Sequence, residues 1–303
     1  MMRRWVQINI SQSIKSRLQQ GYPWLLLAGA VSSLTVFSAR FLSVLDVSGF
    51  EPTSGLEGAG AFGIYRVCTN QSVYHDFSKL PNGFIYNFLF YDIYGYLIRF
   101  LSYCDATALI GRLITVSLLV AAAGLVWIAS RPALERVEAS VVAFALFSPA
   151  IGWWAFALRP DVGGVTFLMA ALLCFVYYLS YPRLWIALLS GGCLVCAWGF
   201  KQPYVFAAPV MLGYTVSRNR IHAAVLLLVL VVGFCVPLLI FDWRLYLVHT
   251  VKIASIHPID PALALKNVVS FGWKGLSVLI PAALIGWITL RREQLCSGIN
   301  SSS

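Results

Sequence analysis

The 303 residues are 59% hydrophobic and only 11% charged, with a mean hydropathy of +0.79. A soluble domain of this length carries about a quarter charged residues, so that class is excluded. The net charge of +10 comes without a Lys/Arg block on a polar domain, which excludes nucleic acid and leaves basic residues flanking membrane spans as its source. Apolar stretches of about 20 residues suffice to cross the ~30 Å hydrocarbon core as helices. The expected fold class is an all-α polytopic membrane protein.

Residues 1–22 read as a cytoplasmic interfacial helix. Val6, Ile10, Ile14 and Leu18 recur every fourth position, and Arg3, Arg4, Lys15 and Arg17 supply the basic face. The apolar stretch that begins at Pro23 is too long for a signal-peptide core, so no cleavable leader is expected. A transmembrane domain over 23–290 follows, with eight expected spans: 23–45, 106–129, 139–158, 162–181, 184–200, 203–217, 221–241 and 275–290. Arg131, Arg136, Arg183, Arg218, Arg220, Arg291 and Arg292 fall in alternate short connections. The positive-inside rule places those connections, the amino terminus and the tail 291–303 in the cytoplasm. Two long outer loops remain, 46–105 and 242–274.

The first outer loop opens on turn formers (Ser48, Gly49, Pro52, Ser54, Gly55) and then turns aromatic from Phe84 to Tyr103. Rings at this density favour the headgroup level, so interfacial helices are expected there. A further span over 84–103 would carry Arg131 and Arg136 outside, against the charge rule. Gly58 to Gly63 spells G-x-G-x-x-G, but no buried strand precedes it, so close packing of a helix is the better account. Cys193 and Cys196 form C-x-x-C inside an apolar span, a weak redox signal. Cys68 and Cys104 both fall outside and could pair, two free thiols being the simpler expectation.

Three charged residues share the outer side of this topology: Glu57, Asp161 and Lys201. Charge beside hydrocarbon is costly, which marks the three as functional candidates. Glu57 opens a small-residue helix, where the dipole keeps a carboxylate ionised and fit to act as a base; Asp46 and Glu51 are its rivals. Asp161, in the turn Arg159-Pro160-Asp161, is equally well placed to cap the next span. Lys201, in Lys201-Gln202-Pro203, is either a snorkelling lysine at a helix stop or an anion site, and Arg159 can join it. Arg112 lies within the second span and needs a polar interior or a lipid headgroup. Tyr74, His75, Asp76, Asn82 and Gln202 add hydroxyl, imidazole and amide groups as candidate substrate contacts. His249 and His257 have no metal-ligand spacing with His75.

In this order, Glu57, Tyr65-Arg66, Tyr74-His75-Asp76-Phe77, Pro81, Gly111-Arg112-Leu113, Arg159-Pro160-Asp161 and Lys201-Gln202 resemble the GT-C superfamily of integral-membrane glycosyltransferases. The likeness is to protein O-mannosyltransferase-like, aminoarabinose-transferase-like and lipopolysaccharide-core galacturonosyltransferase-like members, over roughly residues 20–245. Three departures stand out. Leu56 precedes Glu57 where many members carry two acids, Pro81-Asn82 replaces a double proline, and many members are substantially longer.

The resemblance implies a polyprenyl-phosphate sugar donor, a lipid, glycan or protein acceptor, and inverting transfer at the extracytoplasmic face of a bacterial-type plasma membrane. It gives Glu57 the role of base, Asp161 that of second acid, and Lys201, Arg159 and Arg112 that of donor phosphate ligands. No redox cofactor is needed; some relatives use a divalent metal, and no metal ligands declare themselves here. A transporter or lipid flippase is the alternative, for which inverted repeats would speak and none is visible. A non-catalytic protein of the same fold is another.

Overall fold

The computed structural model describes residues 12–45, 56–76, 84–131, 134, 136–147, 155–253, 265, 266 and 269. Residues 1–11, Asp46, Glu51, Pro81, Asn82, His257, the expected span 275–290 and the tail lie outside them. Among the described residues the chain is helical and has no strand. In order come α1 (Gln12–Leu45), α2 (Leu56–Cys68), α3 (Phe88–Phe100), α4 (Thr107–Ser130), α5 (Arg136–Phe144), α6 (Pro160–Ser180), α7 (Leu184–Phe200), α8 (Ala207–Arg218), α9 (Arg220–Ile240) and α10 (Trp243–Leu247). A π-helical stretch, Val248–Ile253, continues α10.

Among the described residues three stretches are long and apolar enough to cross a membrane: Cys104–Ser130, Pro160–Ser180 and Arg220–Ile240. Leu227, Leu228, Val231 and Val232 of α9 are exposed on these helices, as lipid contact requires and water would penalise. Ala28–Val44, Glu138–Phe147 and Leu184–Phe200 are apolar but shorter. α1 runs unbroken from Gln12, so helix continues across the boundary expected at residue 22. The expected span 139–158 is helical through Phe147 among the described residues, whereas Phe156 to Arg159 run as turn and bends. The backbone of that segment finds a side-chain partner instead, because the Leu158 N–H donates to Glu57.

The helices are held by a few hydroxyl bonds as well as by packing. Thr166 of α6 donates to the Leu118 carbonyl of α4 at 2.9 Å, and Ser190 of α7 donates to Ala171 of α6 at 2.8 Å. Thr115 donates to its own helix at Gly111, so the Tyr94 hydroxyl, 2.9 Å away, is the donor that ties α3 to α4.

The aromatic run departs from expectation. Phe84, Tyr86, Phe88, Phe90, Tyr91 and Tyr94 belong to one buried cluster, while Tyr96, Phe100 and Tyr103 are exposed. With 13 residues, α3 is also too short to cross a bilayer. Close packing of α2 explains the glycine pattern. A Cβ on Gly60 would stand 2.9 Å from the Leu158 carbonyl, and one on Gly63 would press into the Tyr91 ring.

Chain direction puts Leu56, Asp161 and Lys201 at one end of the bundle. Asp161 opens α6 and Lys201 follows α7, antiparallel to it. Arg131, Arg136, Arg183, Arg218 and Arg220 mark the opposite helix ends.

Candidate functional site

Glu57 occupies the first turn of α2 and is 2% exposed. Its Oε1 accepts from Arg112 Nε at 2.8 Å and from the Leu158 N–H at 2.9 Å, and its Oε2 accepts from an Arg112 terminal nitrogen at 3.0 Å. The other terminal nitrogen of Arg112 donates to the Val44 carbonyl at the end of α1 at 3.1 Å. One bidentate pair thus joins α1, α2, α4 and the segment before α6. The arginine expected to need a polar interior has one, made by Glu57. Removing one partner of such a buried pair costs about 3–5 kcal/mol, because the other charge is left without compensation.

The segment pinned at Leu158 leads directly to the second cluster. Pro160 fills the first helical position of α6, where its missing N–H costs nothing. Asp161 does not cap the helix with its side chain; Arg159 is the N-cap residue and no side-chain cap bond forms. The carboxylate turns sideways instead. Oδ1 accepts from Lys201 Nζ at 2.5 Å, and Oδ2 faces Arg159 Nε at 3.3 Å. Arg159 is buried and donates to the Tyr86 hydroxyl at 3.1 Å. The side chains of Asp161 and Lys201 are 25% and 29% exposed, so this cluster opens to the exterior whereas Glu57 does not.

Tyr86 belongs to a strap, Phe84–Asn87, that enters α3 and is held at every residue. Phe84 N–H donates to His249 Nδ1 at 3.1 Å. The Ile85 carbonyl accepts from Gln202 Nε2 at 2.9 Å, and the same amide reaches the Thr250 carbonyl at 3.3 Å. The Tyr86 carbonyl accepts from the Tyr74 hydroxyl at 2.9 Å. Asn87 donates to the Trp198 carbonyl at 2.7 Å and accepts from the Tyr246 hydroxyl. Burial pushes the Tyr74 phenol well up and Tyr86 up as well, so both stay protonated, Tyr74 as the donor to the Tyr86 carbonyl and the Tyr86 hydroxyl as the acceptor from Arg159.

Of the residues expected to contact substrate, Gln202 stands beside Lys201 but uses its amide on the strap. Tyr74 is buried among Phe241, Tyr246 and His249. His75 is buried with its Nδ1 2.9 Å from the Val73 carbonyl, Asp76 is exposed, and Asn82 lies outside the described residues. The cluster joins Asp161, Lys201 and Arg159; Arg112 belongs to Glu57. Tyr86, Asn87, Tyr246 and His249 were not singled out by sequence as site residues. Their pairings span up to 174 residues and leave no local pattern. Cys68 and Cys104 form a disulfide, against the expectation of free thiols, which fastens the end of α2 to the start of α4.

Among the described residues no group of three His, Cys, Asp or Glu is placed to hold a metal ion. The cluster does not suit a divalent cation, since two cationic side chains already face Asp161. Comparison with protein-family models, with curated proteins and with solved structures gives no match.

Proposed function

We propose that this chain is a multi-pass membrane glycosyltransferase that moves a sugar from a polyprenyl-phosphate donor to an acceptor hydroxyl at the extracytoplasmic face. The observation that carries the reading is the partly open Asp161–Lys201–Arg159 cluster at the rim of an apolar bundle. A carboxylate and two cations beside hydrocarbon suit a reaction in which a hydroxyl loses a proton while a lipid phosphate gains charge. The Cys68–Cys104 bridge supports an oxidising compartment on that side. The ordered motifs resembling the GT-C superfamily point the same way.

Asp161 is the better base, because Glu57 is enclosed and both its oxygens accept from Arg112. The phosphate of the donor draws Lys201 away from Asp161, freeing Oδ1. That oxygen takes the proton of the acceptor hydroxyl as its oxygen bonds to the anomeric carbon. The bond from that carbon to the phosphate oxygen breaks, the electron pair leaves with the lipid phosphate, and configuration inverts. Lys201 and Arg159 offset the charge that develops on the leaving group. Tyr86 fixes the direction of Arg159.

A second reading is a non-catalytic protein that binds or moves a lipid phosphate. The enclosure of Glu57, the residue in the position of the family's base, favours it. Membranes holding the parent or Asp161→Asn, given labelled polyprenyl-phosphate sugars, separate the two. Transfer by the parent and at least a ~100-fold loss in the variant is expected. Equal transfer by both removes Asp161 as base. Movement or retention of the labelled lipid without any transfer by the parent establishes the second reading.

A further inference from the structure

His249 is 0% exposed and lies in the π-helical stretch after α10, a kind of irregularity often found where side-chain aim matters. Its two nitrogens hold two backbone positions from far earlier in the chain. The Phe84 N–H can only donate, so Nδ1 is the unprotonated acceptor. Nε2 therefore carries the proton and donates to the His75 carbonyl at 2.9 Å. This pair of bonds needs one acceptor and one donor on the same ring, which only the neutral imidazole provides. Phe84 opens the strap whose next residues meet Gln202 and Arg159.

We infer that His249 is a positioning residue for the Asp161–Lys201–Arg159 cluster, its neutral ring fixing the Phe84–Asn87 strap against the π-helical stretch. Its place beside that cluster rests on the functional reading above; its grip on the strap does not. Protonation turns Nδ1 into a donor, sets it against the Phe84 N–H and releases the strap. Tyr86 then no longer directs Arg159, and Gln202 loses the Ile85 carbonyl.

Among the described residues, burial weighs most on the ring and disfavours its charged form, while the His75 carbonyl, accepting from Nε2, works the other way. His75 and Tyr74 face it from the segment before the strap, and Phe84 stacks on it from the strap itself. Tyr246 packs edge-on against Tyr74, Asp92 of α3 raises the pKa of Tyr74, and Lys252 shares the π-helical stretch. Burial, offset in part by the bond to the His75 carbonyl and helped by repulsion from the His75 ring, lowers His249 from its ordinary 6.5. A lowered histidine gives its full stabilisation above the unfolded value and loses it as pH falls toward the folded value. Acid is therefore the releasing condition.

Hydrogen exchange of a peptide covering residues 84–87, in the full-length protein in lipid, tests this without any substrate. In the parent the protection factor is expected to fall by up to about tenfold per pH unit below 6.5. His249→Gln offers one donor and one acceptor but does not titrate, so its protection should stay high and flat. His249→Ala should be poorly protected at every pH. Flat protection in the parent, or an acid-dependent loss that persists in His249→Gln, overturns the inference. If exchange behaves as expected and the parent transfers no sugar, the transferase reading fails while the role of His249 in holding the strap stands.

Discussion

The two carboxylate–cation pairs at one end of this bundle have the same chemistry and opposite settings. Glu57 and Arg112 meet in a bidentate pair that is nearly sealed, and among the described residues each also bonds to backbone, at Leu158 and at Val44. Asp161 and Lys201 meet at the rim, each side chain about a quarter exposed, with Arg159 on the other oxygen. A sealed pair cannot exchange its partner for a ligand without unfolding its surroundings; a rim pair can. The first therefore suits a scaffold and the second suits the proposed chemistry, and the short segment from Leu158 to Asp161 joins the two.

The largest expected effect is on the sealed pair. Glu57→Ala or Arg112→Ala should lower stability by about 3–5 kcal/mol, read as a drop in melting temperature of the protein in detergent. A change within 1 kcal/mol would mean that the pair does not hold the bundle. Next comes the packing that brings α2 to Leu158. Gly60→Ala places a methyl 2.9 Å from a backbone carbonyl that Glu57 helps fix, and should cost about 1–3 kcal/mol. A neutral result would show that the segment before α6 can shift. Smallest is the rim: Asp161→Asn should change stability by only about 1–2 kcal/mol, since its bonds are partly open to solvent. A loss as large as that of Glu57→Ala would erase the distinction between the two pairs.

Much of this was legible in the chain. Apolar runs placed α4, α6, α7 and α9, and Arg159-Pro160-Asp161 with Lys201-Gln202-Pro203 marked turns at a common end, because length and charge alone decide such features. The span at 139–158 was less legible, since its hydropathy continues where a side chain from 101 residues away replaces the helical hydrogen bond. The aromatic run was read as interfacial because composition cannot distinguish rings facing lipid from rings facing one another. Glu57 could be recognised as important but not as buried. Its partner Arg112 is 55 residues away, and a helix-opening carboxylate looks the same in sequence whether water or guanidinium faces it.

The most direct test is sugar transfer per folded molecule by Glu57→Gln and Asp161→Asn, two isosteric changes that remove one charge each. Glu57→Gln should yield less folded protein yet transfer labelled sugar from a polyprenyl-phosphate donor at close to the parental rate per folded molecule. Asp161→Asn should fold well and lose at least ~100-fold in rate. The reverse pattern, with Glu57→Gln folded and inactive and Asp161→Asn active, would contradict the division of labour between the two pairs.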